Sequence, residues 1–402
     1  MKTSQGRLGE LDALRGIAAL SVVLFHYATM AEANLLLLKL GITGVDLFFI
    51  ISGYVILMTL ERTTKEKDFI ISRLSRLYPS YILMMLFTTW VIFLFNKAAL
   101  PSINEVLANL TMMQPLFRVE YIDESYWTLT VEMQFYVLML VIFMMKKLPR
   151  IEILGVCLMI CFLIFYVIGS LLFPTSKIYI VLRYLFPLIS HFQMFFAGIV
   201  FYKIQKEGGT FFRHFLIAVS CCISIFLFDK SGRSHFAIEI IPYVTMISLY
   251  ILIFYLFVNN KLKFLNVSFL TFLGSISYCL YLVHQQAGEE LYAVLIRAGL
   301  HPFATIPVLI VFMIVISALV TYYIEKPAIR FFRNLPAWYK KSIAKQFVLG
   351  RQTSGEITFA KKEKIPANRI DQSSLHFHFF YCCSSMKILQ ELKIVSCQIH
   401  KL

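Results

Sequence analysis

The chain has 402 residues, of which 59% are apolar and 15% are charged, whereas soluble domains carry about 25% charged residues. With 38 Phe and 21 Tyr, it is too apolar for a soluble globule, and its length excludes a small secreted disulfide scaffold despite eight cysteines. We interpret the net charge of +15 as the cytoplasmic charge bias of a membrane protein rather than as nucleic-acid binding.

Long apolar runs follow one another along the chain. A helix of about 20 apolar residues spans a bilayer, and only a helix satisfies its own backbone polar groups within one segment, so we predict an all-α polytopic membrane protein. A cleaved signal peptide is disfavoured because Asp12, Arg15 and His26 interrupt the first run. The runs cover residues 11–29, 42–60, 79–97, 127–145, 151–173, 180–203, 212–228, 236–258, 269–296 and 304–324.

Basic residues are concentrated in alternate loops. The positive-inside rule then predicts about ten transmembrane helices with both termini in the cytoplasm, and it places the loop 98–126 outside. We expect residues 1–340 to form the transmembrane domain and residues 341–402 to form a polar, disordered cytoplasmic tail. No metal site is predicted, because the His and Cys residues of the tail match no standard zinc spacing: His376, His378, Cys382 and Cys383.

The first predicted helix carries three ionisable residues. Arg15 and His26 are eleven residues apart, so both lie on one face at about 16 Å along the helix axis. Asp12 lies one turn before Arg15 and can pair with it. An interfacial arginine with a buried structural histidine is the alternative interpretation.

Further ionisable residues are expected at the depth of His26. Asp46 and Glu132 come early in helices that start outside, and His284 comes late in a helix that starts inside. A histidine beside a carboxylate is the minimum arrangement for general-base catalysis. The four residues at this depth therefore predict a histidine base with a carboxylate partner, and a structural role is the alternative for His284.

Two arginines are predicted at the cytoplasmic face. Arg73 and Arg76 are three residues apart and share one helix face, where Arg15 can join them. Such a cluster can bind phosphates in a bidentate manner, although ordinary positive-inside charge or lipid contact explains the pair equally well. An acyl donor such as a coenzyme A thioester has phosphates at one end and the thioester at the other. It fits this arrangement if the cytoplasmic arginines bind the phosphates and the thioester extends to the base near the outer face.

Six segments then resemble one known family in order along residues 8–335. They are LDALRGIAALSVVLFHY (11–27), GVDLFFIISGYV (44–55), FIISRLSRLYP (69–79), YWTLTVEMQFY (126–136), SYCLYLVHQ (277–285) and YIEKPAIR (323–330). The chain resembles the acyltransferase-3 family of membrane-bound O-acyltransferases. The tail after residue 345 matches no part of the family, and the chain resembles members without an attached hydrolase-like domain.

The resemblance implies transfer of an acyl group, usually acetyl from acetyl-CoA, to a hydroxyl of an envelope carbohydrate or lipid-linked saccharide in the bacterial plasma membrane. It implies a catalytic pair at Arg15 and His26 and a functional carboxylate at Glu132, which we expect to orient or activate His26 or the acceptor. The family's paired arginines fall on Arg73 and Arg76, which we expect to bind acetyl-CoA together with Arg15. Transfer is expected either directly or through an acyl-enzyme. For the acceptor site we expect Asp46, Trp127 and His284.

Two other classes of function remain open from the residues. Buried His, Asp and Glu also mark proton pathways, so a proton-coupled transporter or flippase is the main alternative. A structural scaffold fits the apolar composition but leaves the ionisable groups at outer depth unexplained. No metal, and no nucleic-acid partner, is expected.

Overall fold

The computed structural model describes residues 8–32, 35–228 and 238–333 of the chain. Within these ranges every regular element is helical, which confirms the predicted all-α fold. The predicted tail, residues 341–402, lies outside the described residues, as do its His and Cys residues. The α-helices are α1 (Gly9–Met30), α2 (Leu36–Lys39), α3 (Gly44–Arg62), α4 (Glu66–Phe95), α5 (Ile103–Asn109), α6 (Trp127–Met144), α7 (Ile151–Leu172), α8 (Lys177–Leu185), α9 (Leu188–Glu207), α10 (Phe211–Phe226), α11 (Ile240–Val258), α12 (Ser268–Val283), α13 (Gln286–Arg297), α14 (Pro302–Val320) and α15 (Lys326–Arg333).

Shorter turns connect these helices. A π-helical turn, Thr321–Glu325, joins α14 to α15. The 3₁₀ turns of the described residues are Leu40–Thr43, Lys97–Ala99, Gln114–Phe117, Glu124–Tyr126, Leu148–Arg150 and Lys263–Leu265.

The length and hydropathy of the helices fit a membrane protein. Two shorter apolar helices, α10 and α12, coincide with the seventh and ninth predicted runs. The orientation with both termini inside rests on the loop charges and stays a prediction. In the described part of the chain, eight helical stretches are long and apolar enough to span a bilayer: Gly9–Met30, Leu36–Arg62, Glu66–Phe95, Glu124–Met144, Leu148–Leu172, Lys177–Glu207, Ile240–Val258 and Pro302–Phe332.

Two of the predicted runs are interrupted in the structure. The sixth run is divided at Pro187, which precedes the first residue of α9, because proline lacks the amide hydrogen that a continuing helix needs. The ninth run is not one helix: α12 ends at Val283 and α13 starts at Gln286. His284 therefore lies at a break between two helices rather than inside a long one.

Helices α1 and α12 approach each other closely at a pair of glycines. A Cβ at Gly16 would lie 2.7 Å from the amide nitrogen of Gly274, and a Cβ at Gly274 would lie 1.9 Å from the carbonyl oxygen of Asp12. Small residues allow such backbone contact between membrane helices. His26 and His284 each lie ten residues after one of these glycines, so two parallel helices in this register bring both histidines to the same level.

A second close approach joins α3 to α9. A Cβ at Gly53 would lie 1.9 Å from the carbonyl oxygen of Phe195, and one at Gly198 would lie 2.0 Å from the carbonyl oxygen of Ile50. The contact continues into the core, where the rings of Phe49 and Phe195 stack at 4.6 Å between centroids. These two glycine contacts fix α3 and α9 against each other below the candidate site.

The Gly53→Ala variant is expected to be destabilised by about 1–3 kcal/mol, because the new methyl group must displace backbone rather than a flexible side chain. Thermal unfolding in detergent measures the loss. Gly209→Ala is the matched control, since its Cβ meets only the tip of the His214 side chain. An equal loss of stability in both variants would contradict the importance of the α3–α9 contact.

The loop 98–126 forms short helical turns that side-chain hydrogen bonds connect. Ser102 and Glu105 form a reciprocal capping box at the start of α5. The Asn109 side chain accepts hydrogen bonds from the Ile122 amide at 3.1 Å and from Gln114 at 3.0 Å. This network holds the end of the loop, residues 121–126, over the bundle, at the end that we call the outer end after the predicted orientation.

Candidate active site

A cavity of about 270 Å³ opens at the outer end of the bundle. Its walls come from α1, the start of α3, the end of the loop 98–126, α6 and the break after α12. Aromatic and polar side chains around a single imidazole are typical of a site that binds and reacts with a polar ligand. The lining residues are His26, Ile42, Val45, Tyr121, Glu124, Ser125, Trp127, Tyr281 and Gln285.

The two histidines of the predicted site meet at this cavity. The rings of His26 and His284 are 5.1 Å apart between centroids and nearly perpendicular. His26 is partly exposed to the cavity, whereas His284 is fully buried behind it. The structure thus brings His284 to His26 and not directly to the cavity surface.

The hydrogen bonds of His284 fix its tautomer. Its Nδ1 lies 2.7 Å from the carbonyl oxygen of Tyr281. A carbonyl only accepts, so Nδ1 carries the proton and Nε2 carries the lone pair. This Nε2 is buried and has no hydrogen-bond partner among the described residues. The ring of His284 therefore offers an unused acceptor beside His26.

An aromatic wall faces the histidines. Trp127, at the first residue of α6, lies 5.1 Å from the ring of His191, and His191 lies 5.4 Å from the ring of Phe49. His191 is buried near the start of α9 and is absent from the predicted site. The sequence contains a signal for this position, because Pro187 marks the start of α9. A helix that starts there, at the predicted outer side, places His191 in its first turn at the outer end.

Asp46 lies behind the cavity rather than in its wall. It is fully buried in the first turn of α3, while its neighbour Val45 lines the cavity. Asp46 acts electrostatically on Tyr250, whose hydroxyl lies 2.8 Å from that of Thr43. Asp46, which we predicted in the acceptor site, is thus not among the residues that line this cavity.

The three predicted arginines form a cluster near the other end of α1. Arg15 pairs with Asp12 at 3.7 Å, as the sequence predicted. Arg76 lies within electrostatic range of both Arg15 and Arg73. The guanidinium of Arg73 lies 6.0 Å from the ring centroid of Tyr136, and its buried Nε has no hydrogen-bond partner among the described residues. Three guanidinium groups in one place can bind a polyanion.

Glu132 belongs to this arginine cluster. It accepts hydrogen bonds from Ser52, at 3.0 Å, and from Tyr136 one turn further along α6. It also acts electrostatically on Arg73. The sequence analysis expected Glu132 at the depth of His26, but α6 starts with Trp127 at the cavity, so Glu132 lies about 7 Å deeper along the helix axis.

Two tyrosines of α12 lie between the cluster and the cavity. The Tyr278 hydroxyl donates to the carbonyl of Leu77, next to Arg76 in α4, at 3.1 Å. Tyr281, one turn further on, lines the cavity, and Thr128 donates to its hydroxyl at 3.1 Å. Glu132 acts electrostatically on both tyrosines.

Acidic residues surround the mouth of the cavity. Burial raises the pKa of Asp123 to about 6, although hydrogen bonds from Ser125 and Gln286 act in the opposite direction. Burial also raises the pKa of Glu289 to about 7, with the charges of Asp123, Glu124 and Glu290 adding to the shift. Among these acidic residues Glu124 lines the cavity, and a carboxylate there disfavours an anionic ligand.

The arrangement combines a base in an aromatic cavity with a distant cationic cluster. Within the part of the chain that the structure describes, no three His, Cys, Asp or Glu side chains are placed to hold a metal ion. An imidazole can transfer protons and guanidinium groups can bind anions, and the site contains both kinds of group. The fold and site together define a multi-pass, all-α membrane protein with a polar cavity inside its helical bundle.

Comparison with known proteins identifies the family. The model of the acyltransferase-3 family, described as an acyltransferase domain, matches residues 8–322, and the chain belongs to this family. This membership confirms the resemblance that the six motifs predicted, and it supports the prediction that the protein is an acyltransferase.

Relatives with curated names agree with this assignment. A Bacillus subtilis protein, provisionally named a peptidoglycan O-acetyltransferase, is 28% identical over 38% of this chain and 27% of its own length. A protein of Acidianus two-tailed virus, provisionally named an acetyltransferase, is 25% identical over 71% of this chain and 85% of its own length. A Staphylococcus aureus protein, provisionally named an O-acetyltransferase, is 31% identical over 32% of this chain and 23% of its own length.

The chain thus spans about a quarter of the length of the Bacillus and Staphylococcus relatives, and most of the viral one. No solved structure gives a significant match to the chain.

Proposed function

We propose that this protein transfers an acetyl group from acetyl-CoA, bound from the cytoplasm, to a hydroxyl of an envelope carbohydrate in the bacterial plasma membrane. The observation that carries the proposal is the position of His26 in an aromatic cavity, about 16 Å along α1 from the arginine cluster of Arg15, Arg73 and Arg76. The names of the relatives support acetyl as the group.

In the proposed reaction, His26 removes the proton of the acceptor hydroxyl while the oxygen attacks the thioester carbon of the donor. The carbon–sulfur bond then breaks, and the leaving thiolate takes the proton back from His26. Nε2 of His284 has no hydrogen-bond partner among the described residues, and its ring lies 5.1 Å from that of His26. In this mechanism it would accept the other ring N–H of His26 and so direct the basic nitrogen of His26 into the cavity. His284 is thus a positioning residue in this mechanism.

At the donor end, the arginine cluster holds the phosphates of coenzyme A through charge-assisted hydrogen bonds. Glu132 and Tyr136 keep the guanidinium groups oriented, since Glu132 is hydrogen-bonded to Tyr136 and acts on all three arginines. The long arm of the donor lies along Tyr278 and Tyr281 toward His26.

At the acceptor end, the cavity suits a neutral carbohydrate. Trp127, Tyr121 and Tyr281 offer flat apolar faces, and Glu124 and Gln285 offer hydrogen-bonding groups at the rim. The acidic mouth favours an uncharged acceptor over an anionic one. Peptidoglycan, named for the Bacillus relative, is the first acceptor to try.

Radiolabelled acetyl-CoA supplied to inverted membrane vesicles tests the proposal. We expect label to become covalently attached to an envelope polymer or lipid-linked saccharide in vesicles with the protein, and not in vesicles without it. Movement of a glycan without covalent labelling would instead support the transporter or flippase.

The Trp127→Ala variant is expected to raise KM for the acceptor by about 10-fold with a small change in KM for acetyl-CoA, because it removes the stacking surface of the cavity. Trp127→Phe should restore most of the affinity. Trp90→Ala is the matched control, because Trp90 is 55% exposed on the outside of α4. An unchanged acceptor KM for Trp127→Ala would place the acceptor elsewhere.

A further inference from the structure

Asp123 is a fully buried carboxylate outside the spanning helices. Its Oδ1 accepts from the backbone amide of Ser125 at 2.9 Å, and its Oδ2 accepts from the backbone amide of Gln286 at 2.9 Å. No cation is among its hydrogen-bond or ion-pair partners in the described residues, and its electrostatic neighbours include Glu124. Burying a carboxylate without a cation costs free energy of folding. The two hydrogen bonds from backbone amides offset part of this cost, and an apolar residue at this position could not accept them.

The bond from Gln286 joins Asp123 to a segment far away in sequence, whereas the bond from Ser125 is local. Ser125 belongs to the turn before α6, and Gln286 is the first residue of α13. We call the joined segments, residues 123–128 and 281–286, the outer clasp. Three further hydrogen bonds connect the same segments: Ser125 to the Tyr281 carbonyl at 3.3 Å, Thr128 to the Tyr281 hydroxyl at 3.1 Å, and Gln285 to Glu124 at 3.3 Å.

The outer clasp lies where α12 ends, next to His284. In an uninterrupted helix, the amide of Gln286 would donate to the carbonyl of Leu282, four residues earlier. Here it donates to Asp123, and α12 ends at Val283. No proline or glycine lies at this break, and the Gln286 amide uses the distant acceptor on Asp123 in place of the local carbonyl of Leu282.

We propose that Asp123 is a positioning residue that holds the break between α12 and α13 open and thereby directs the free Nε2 of His284 toward His26. The carbonyl of Tyr281, which accepts from Ser125 in the outer clasp, is the same group that accepts the Nδ1 proton of His284. Asp123 thus acts on the reaction through His284 and does not touch either substrate. This inference rests on the proposed function, because it assigns His284 the task of orienting His26.

The first test is kinetic and uses a double-mutant cycle. Asp123→Asn keeps the shape of the side chain but sets an amide NH₂ against one of the two backbone donors. It should lower kcat by about 10–100-fold and leave KM for acetyl-CoA within about 2-fold. In a His284→Asn background, the same change should lower kcat by less than about 2-fold, because residues that act as one unit are not additive.

The matched control is Glu120→Gln, which also changes a carboxylate to an amide in the same loop but on an exposed side chain outside the outer clasp. Its kcat should equal that of the wild type. If Asp123→Asn fails to fold, Ser125→Ala probes the clasp more mildly, and its smaller loss of kcat should likewise disappear in the His284→Asn background. A loss that multiplies with that of His284→Asn would overturn the proposal, because it would show a general structural role.

A spectroscopic test decides the same point without catalysis. In protein labelled with ¹⁵N-histidine, the signals of His284, assigned by their loss in His284→Asn, should report a single tautomer with the proton on Nδ1. Asp123→Asn should produce a mixture of tautomers. An unchanged tautomer in Asp123→Asn would overturn the positioning role, whereas absence of acyl transfer in the wild type would overturn the proposed function alone.

Discussion

Replacing His26 by alanine is expected to lower kcat for acyl transfer by about 10²–10⁴-fold, the usual contribution of a histidine base. His26 is the one imidazole among the residues that line the cavity, and it is the group that removes the acceptor proton in the proposed mechanism. Donor binding should be unaffected, because the arginine cluster lies about 16 Å away along α1. Steady-state kinetics with labelled acetyl-CoA and a soluble acceptor measure both quantities.

His301→Ala is the matched control for this variant. His301 is exposed at the residue before α14 and lies outside the cavity lining, so its removal should leave both kcat and KM unchanged. Activity in His26→Ala equal to that of the wild type would remove His26 from the chemistry. A weakened donor affinity in the same variant would show that the two ends of the site are coupled.

The second large effect is expected at the donor end. Arg73→Ala should raise KM for acetyl-CoA by about 10–100-fold with little change in kcat at saturation, since hydrogen bonds to charged groups contribute about 1.5–3 kcal/mol each. The buried and unpaired Nε of Arg73, beside Tyr136, is a donor that a phosphate can engage. Binding of a non-transferable coenzyme A analogue gives the change in affinity directly.

Two variants sharpen this prediction. Arg73→Lys keeps the charge but not the planar fork, so it should recover only part of the affinity. Arg150→Ala removes an exposed arginine that the loop charges place on the same side of the membrane, and it should change nothing. An equal loss in Arg150→Ala would indicate a general charge effect rather than a phosphate site.

The sequence predicted the local parts of this site well. The spacing of Arg15 and His26 on one helix needs only the helical repeat, and the pairing of Arg15 with Asp12 follows from the same geometry. The cluster of arginines also follows, because both Arg73 and Arg76 come early in α4 and face the predicted cytoplasmic side. Each of these inferences depends on positions within one helix or on the direction of a span.

Contacts between distant helices were harder to predict. The sequence analysis paired Glu132 with His26, but the structure pairs Glu132 with Ser52, Tyr136 and the arginine cluster. A depth read from sequence is uncertain by about one turn, or 5 Å. That error is enough to move a carboxylate from one partner to another.

By itself, the sequence determined that the chain is an all-α membrane protein of the acyltransferase-3 family. Hydropathy identifies each spanning helix, and each motif lies within one short segment, so neither depends on contacts between distant parts of the chain. Tertiary structure alone decided that His26 faces His284, since this pairing needs the register that Gly16 and Gly274 set between α1 and α12. It also decided that the amide of Gln286, beside the break at His284, donates to Asp123, which lies 163 residues earlier in the chain. The Gln286 amide has two possible acceptors, the local carbonyl of Leu282 and the carboxylate of Asp123. Only folding brings the second acceptor within reach, so the sequence alone does not show which one is used.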